Sequence, residues 1–277
     1  MVAILLLLWN CKMQSLEKDC NDYAYEEIIR DMKTVAIIQA RCGSSRLPGK
    51  VLKDLCGKPV LAHDLERISQ AKKIDQVIVA TTENQGDDQV ASLADSLGFV
   101  VFRGSENDVL ARYYGAAKES QADIILRITS DCPLIDALII DEMIEEFEDH
   151  MYDISYNVPL EGEELTYPRG LDVEIFRFTA LKDAYENAVD PYEREHVTPY
   201  IYENYSKRHY HRWNQSFPAY RWTLDTEEDF LFISEVYRYL YKGIHNFYTD
   251  DILALLRTHP ELNEINAQVK QKERGEE

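Results

Sequence analysis

The chain has 277 residues, 45% of them hydrophobic, and a formal net charge of −20. That length holds one large α/β domain or a domain with a subdomain, and the apolar share supplies a sizeable core. The negative charge excludes general nucleic-acid binding, because such a field repels a phosphate backbone. An acidic protein that holds an anionic ligand needs local cations, and a divalent metal ion would help it.

Residues 1–31 do not fit the rest. The apolar start, residues 1–9, falls far short of the roughly 20 residues of a membrane span. It lacks the basic flank and small-residue cleavage site of a secretory signal. A polar, acidic stretch follows, and Met32 stands just before the first strand. Met32 is therefore expected to be the functional start, with a membrane-associated extension as the rival. The five cysteines, Cys11, Cys20, Cys42, Cys56 and Cys132, form no Cys-x-x-Cys pair. Their odd number fits a reducing, cytoplasmic setting without a disulfide framework or structural zinc.

Residues 35–38 are a short apolar run of the kind found in buried parallel strands. The loop after them, residues 39–50, is rich in small residues. Gly43, Ser44, Ser45 and Gly49 let the backbone approach a ligand. Arg41, Arg46 and Lys50 add three cations, a set that suits a polyanion such as a triphosphate. The two commoner phosphate-loop spacings are absent: Lys50 is followed by Val51, and there is no Gly-x-Gly-x-x-Gly.

Residues 57–59 are expected to open a helix, with Pro59 in its first turn and Leu61, Leu65 and Ile68 as its apolar stripe. Residues 75–80 read as a strand. Val90, Leu93, Ala94 and Leu97 mark a helix closed by Gly98. Residues 99–102 form a strand, 108–119 a helix, and 124–128 a strand ending at Thr129, Ser130 and Asp131. This alternation predicts an α/β fold: a mostly parallel sheet with helices on both faces. Ligands in such sheets bind beyond the carboxyl ends of the strands. The loop at 39–50 and the turn at Asp131 both fall on that rim.

Further on, a helix is expected at 139–147, a strand at 153–157, a polar loop at 161–168 and a strand at 171–176. Helices follow at 180–188 and 194–204, and a strand at 220–224 ends on Asp225. Thr226 and Asp229 have the spacing of a helix cap. Phe230, Phe232, Ile233 and Val236 supply that helix's apolar positions. Short helices at 250–256 and 261–267 precede a charged tail. No repeat or linker interrupts residues 32–277, so a single domain with an inserted α+β subdomain near 150–215 is the simplest organisation.

Asp131 and Asp225 each follow an apolar strand at its ligand-binding end. Mg²⁺ takes oxygen ligands and often only one or two protein carboxylates; the alternative for each is a turn or helix cap. Asp172 and Glu174 share one strand face by alternation. They read as hydroxyl-recognition groups, an extra metal ligand, or a salt-bridged edge. Arg194 and His196 read as ligands of an acidic acceptor, with His196 alternatively a general base or a structural histidine. Cys42 and Cys132 read as small filler residues, since no base stands ready to activate either thiol.

The run Gln39-Ala40-Arg41-Cys42-Gly43-Ser44-Ser45-Arg46-Leu47-Pro48-Gly49-Lys50 resembles the nucleotide-binding signature of the CMP-sugar synthetases, the cytidylyltransferases. The resemblance is to the branch typified by the spore coat polysaccharide biosynthesis protein SpsF. It continues through Phe102-Arg103-Gly104-Ser105, residues 127–134, 170–174, 194–200 and 221–226. It implies a nucleotide-diphospho-sugar transferase (GT-A-like) fold and transfer of CMP from CTP to a sugar or sugar acid, with pyrophosphate released. It implies Mg²⁺ on Asp131 and Asp225, and an acceptor pocket bordered by residues 170–172. Gln39, Ala40, Cys42, Gly43, Ser44, Arg103 and Ser105 are then expected around the nucleotide, with Arg41, Arg46 and Lys50 on its phosphates. Homodimerisation through 150–215 rests on the resemblance alone. A glycosyltransferase of related fold and a non-catalytic nucleotide-binding protein are the rival readings. No Asp-x-Asp motif stands at Asp131-Cys132-Pro133 to favour the first.

Overall fold

The computed structural model describes residues 32–271; the expected extension at 1–31 and the tail end at 272–277 lie outside them. The frame is a seven-stranded sheet. In chain order its strands are β1 (Thr34–Gln39), β4 (Gln76–Thr82), β5 (Val100–Gly104), β6 (Ile124–Thr129), β7 (Ile154–Tyr156), β8 (Glu174–Arg177) and β9 (Arg208–Tyr210). The spatial order is β5-β4-β1-β6-β8-β7-β9. A separate two-stranded ribbon joins β2 (Asp54–Leu55) to β3 (Lys58–Pro59).

The first four strands of the sheet are parallel, with Gln39 level with Ala80 on one side and Thr129 on the other. Their carboxyl ends therefore form one rim. Strand β8 runs antiparallel to β6, with Glu174 opposite Arg127. Its entrance, residues 172–173, consequently arrives at the same rim where β6 leaves. The stretch 150–215 thus supplies three strands to the edge of the main sheet.

Val35, Ile37, Ile78, Ala80 and Ile125 face a fully covered layer. That layer is built from α3 (Val109–Glu119) and α5 (Phe178–Asn187). The alternate residues Ala36, Ile38 and Leu126 are equally buried on the other face. Helices α1 (Val60–Ile68) and α4 (Ala137–His150) pack together, and α4 also packs on β7 and β8. Each valine, leucine or isoleucine among them removed from water contributes about 1.5–3 kcal/mol, which is why both faces are helix-covered.

Helix starts follow local chemistry. Asp108 caps α3 by accepting from the Ala111 N–H at 2.9 Å, and Asp136 caps α4 from Leu138 at 2.9 Å. Helix α2 (Asp88–Ser96) ends before Gly98, which has a φ of 85°. Thr226 and Asp229 form the expected reciprocal cap on α8 (Glu227–Leu240). Helix α9 (Thr249–Thr258) packs against α8. No helix among the described residues is long and apolar enough to cross a membrane.

Four expectations need correction. Pro59 lies before α1 rather than in its first turn: its backbone is extended and it pairs in the β2–β3 ribbon. The helix expected at 194–204 is two helices, α6 (Pro191–His196) and α7 (Pro199–Asn204). The break is at the buried Val197, which turns the chain with a φ of 72°, and Pro199 has no N–H to carry the first helix's hydrogen-bond ladder onward. Residues 220–224 are not a strand. They make one bridge, Arg169 to Arg221, and bond to loops rather than to the sheet. The helix expected at 261–267 is a 3-10 turn, Pro260–Glu264.

Candidate active site

The loop after β1 is shaped by its own backbone. The Ser44 and Gly49 N–H groups both donate to the Cys42 carbonyl, at 2.9 and 3.0 Å. Gly49 has a φ of 66° and leads into the short turn Lys50–Leu52. This fold-back sends the Lys50 side chain inward. Its Nζ donates to Asp131 Oδ2 at 2.9 Å, Asp225 Oδ1 at 2.9 Å and the Leu224 carbonyl at 2.8 Å. Arg46 Nη2 lies 2.8 Å from Asp225 Oδ2. Lys50, Arg46, Asp131 and Asp225 are therefore one cluster, although 175 positions separate Lys50 from Asp225.

Burial works against the charge on Lys50, but the two carboxylates outweigh it and hold its pKa above the ordinary lysine range. Burial likewise pushes Asp131 upward, and the Lys50 charge prevails to hold it below the usual carboxylate range. Both groups are charged at neutral pH. The donor set is two carboxylates and a backbone carbonyl, all hard oxygens already converging on a cation. Such a set fits Mg²⁺.

The loop carrying Asp225 is held from behind. Asp229 is fully buried and accepts from the N–H groups of Asp225 and Thr226, each at 3.0 Å. Arg221 donates to Asp229 at 2.9 Å and to Asp225 Oδ2 at 2.8 Å. Asn266 donates to Asp229 at 2.9 Å. Gly170 presses on the same loop with a φ of 99°. A Cβ there would lie 2.5 Å from the Thr223 nitrogen and the Trp222 carbonyl carbon. Only glycine combines that backbone with that approach. The turn after Asp131 is secured by the buried Arg67, whose Nε donates to the Ile135 carbonyl at 2.7 Å.

Asp172 lies just before β8 begins, so the alternation that paired it with Glu174 does not apply. Burial pushes its carboxyl up to about 6, reinforced by the charge of Asp131 and opposed by the Gly170 N–H. Glu174 goes elsewhere. Its oxygens are taken by Arg127, by Thr198 at 2.7 Å and by the Tyr202 hydroxyl at 2.5 Å. Arg194 is also committed, with Nη2 2.7 Å from Asp108 and Nη1 3.0 Å from the Ala188 carbonyl. His196 packs on the Tyr192 ring with centroids 4.3 Å apart. Glu174 and Arg194 are thus not brought to the Lys50 cluster, because partners of opposite charge, Arg127 and Asp108, claim them first.

The nucleotide-loop residues divide. Gln39 ends β1 with a buried side-chain oxygen that has no hydrogen-bond partner. The Ala40 N–H donates to Ala80. The Cys42 N–H donates to Asp87 at 2.6 Å, and burial with the Asp87 carboxylate pushes the thiol up. Burial pushes the Cys132 thiol well up too; neither thiol is a ready nucleophile. Ser44 Oγ accepts from the Leu47 N–H, and Gly43 sits beside Arg41 and Glu106. Arg41 lies 3.3 Å from Glu106, well exposed and with no ion pair to Asp131 or Asp225. Arg103 braces the loop after β4, donating to the carbonyls of Thr82 and Asn84 and to Asp88. The Ser105 carbonyl accepts from Arg112 at 2.9 Å.

Two carboxyls escape sequence reasoning. Asp87 joins Cys42 to Thr82. Asp64 on α1 is 1% exposed, neither oxygen has a hydrogen-bond partner, and burial with the Asp131 charge pushes its carboxyl well above the ordinary range. Nothing in the helical pattern of residues 60–68 marks Asp64, except that a charged residue sits on the apolar stripe.

A family model described as cytidylyltransferase matches residues 35–249. An uncharacterised protein of Methanocaldococcus jannaschii is 40% identical over 256 residues, 87% of this chain and 97% of that one. The spore coat polysaccharide biosynthesis protein SpsF of Bacillus subtilis is 36% identical over 210 residues, 73% of this chain and 85% of that one. A cytidylyltransferase structure from Leptospira borgpetersenii superposes with a TM-score of 0.78 at 35% identity, covering 88% of this chain and all of that one. With a mostly parallel sheet whose rim gathers Arg46, Lys50, Asp131 and Asp225, and a family match running from β1 to the start of α9, this chain belongs to the cytidylyltransferase family.

Proposed function

We propose that the chain transfers CMP from CTP to a sugar or sugar-acid hydroxyl, releasing pyrophosphate, with Mg²⁺ held by Asp131 and Asp225. The supporting observation is the Lys50 ammonium shared between those two carboxylates at 2.9 Å each. A cation on a four-carbon stem can exchange carboxylate oxygens for phosphate oxygens. Lys50 and Arg46 then bind the β- and γ-phosphates and stabilise the departing pyrophosphate. The bound ion supplies neutralisation of phosphate charge. Asp131 and Asp225 hold their positions because Arg67 and Asp229 fix the backbone beside them and Arg221 holds the Asp225 carboxylate. Phosphoryl-type transfer needs alignment and charge stabilisation more than a protein nucleophile, in keeping with the raised thiols of Cys42 and Cys132.

Asp172 borders the acceptor. With its carboxyl pushed up to about 6, it accepts a hydroxyl hydrogen bond or proton near neutral pH. The similarity to a polysaccharide biosynthesis protein supports a sugar acceptor. Homodimerisation and a cytoplasmic location belong to the same reading.

The test is pyrophosphate release from each of the four nucleoside triphosphates, with Mg²⁺, against a panel of neutral and acidic sugars. Release with CTP, a sugar and Mg²⁺, lost on chelation, is the expected result. Equal release from all four triphosphates, or none with any sugar, overturns it.

A further inference from the structure

Away from the Lys50 cluster, α4 and the outermost strand β9 bring two imidazoles onto one carboxylate oxygen. His211 Nδ1 lies 2.7 Å and His209 Nε2 3.1 Å from Glu146 Oε2. One ligand atom from each of the three residues lies within 4.8 Å of the other two. His209 and His211 are two apart at an extended strand end, so alternation turns both toward α4.

The rings are fixed before any ion arrives. His209 stacks on Tyr152 at 4.7 Å and 8°, and Tyr152 stacks on His150 at 5.3 Å and 9°. His211 is 6% exposed and lies against the Tyr167 ring at 5.9 Å. The trio opens on a cleft of about 540 Å³ whose rim adds Glu142, Glu145 and Asp149. No lysine or arginine pairs with Glu146 among the described residues.

The other comparable group, His63, Glu66 and His245, is differently placed. Lys58 takes both Glu66 oxygens at 2.6 and 2.8 Å, and His63 Nε2 is 2.6 Å from the Leu55 carbonyl. Its carboxylate charge is already neutralised; that of Glu146 meets only imidazoles.

We propose that Glu146, His209 and His211 form a binding site for a divalent transition-metal ion of the Zn²⁺ class, open on its fourth side to the acidic cleft. Two imidazole nitrogens and a carboxylate oxygen suit such an ion and not Mg²⁺, which prefers oxygen alone. The site ties the last strand of the sheet to α4. It is independent of the nucleotide reading and uses none of its residues.

The test uses the full chain, stripped with a chelator and titrated with Zn²⁺ in excess Mg²⁺ so that the Asp131 and Asp225 site is occupied. One equivalent of Zn²⁺ per chain is expected, and Co²⁺ in its place should give visible absorption from nitrogen ligation. His209→Ala and Glu146→Gln should each weaken Zn²⁺ binding at least about 10-fold. Asp131→Asn should leave it unchanged. Glu146→Gln keeps a hydrogen-bond acceptor for the imidazoles, so its fold, checked by circular dichroism, should survive. No stoichiometric Zn²⁺ in the wild type, or His209→Ala binding as tightly as wild type, overturns the proposal.

Discussion

The Leu224 N–H donates to the Asp131 carbonyl at 2.8 Å. This one backbone bond ties the loop after β6 to the loop before α8, and so sets the spacing of Asp131 and Asp225. The Thr223 hydroxyl reaches the same carbonyl at 3.4 Å. Lys50 then bridges the side chains that the backbone has already brought together. The carboxylate pair is therefore built by the main chain and neutralised by a side chain, and the two contributions can be separated by mutation.

Lys50→Ala leaves two carboxylates facing each other without their shared ammonium. Losing one partner of a buried ion cluster costs about 3–5 kcal/mol, which thermal unfolding in Mg²⁺-free buffer should register. Added Mg²⁺ should raise the melting temperature of the variant more than that of the wild type. Turnover, followed by pyrophosphate release, should fall by about 2–4 kcal/mol of transition-state stabilisation.

Gly170→Ala places a Cβ 2.5 Å from the backbone of Trp222 and Thr223 at a φ of 99°. Neither the strain nor the clash can be relieved by a side-chain rotation. Urea denaturation should show a loss of about 2–3 kcal/mol. Activity should fall further than stability accounts for, because the displaced segment carries Asp225.

Asp172 gives a pH signature. Its carboxyl stands at about 6 in the fold against an ordinary 3.8. Between those values the folded protein binds more protons than the unfolded chain, so stability from this group is complete below the lower value and lost as pH rises through about 6. Asp172→Asn should therefore be no more stable than wild type at low pH and gain up to about 3 kcal/mol relative to it above pH 6. Denaturant melts across this range test the sign. In the proposed acceptor role, the same variant should raise KM for the sugar and leave KM for CTP alone.

Glu174→Gln separates structure from recognition. The change leaves Arg127 buried without its carboxylate and weakens the acceptor offered to Thr198 and Tyr202. A stability loss of about 3–5 kcal/mol is expected, with KM for the acceptor close to that of the wild type. A large KM effect in a protein of unchanged stability would return Glu174 to the acceptor pocket.

Short apolar runs alternating with capped amphipathic stretches were enough to establish the parallel half of the sheet, both helical layers and the rim where ligands bind. These are local signals: a buried strand must be apolar, and the Thr226 cap satisfies an N–H group within three residues. The cations of the first loop were legible for the same reason, being contiguous. What the chain's order of residues left open was which of them turns inward. Lys50 and Arg46 reach Asp225 while Arg41 turns to Glu106. The fold also decided that Asp172 stands at the rim and Glu174 inside a buried network, because β8 runs antiparallel to β6 and begins only at Glu174. Periodicity reports the face a residue occupies along its own strand. Strand direction, edge and the partner that claims a charge are settled by residues far away in the chain, and only packing brings them together.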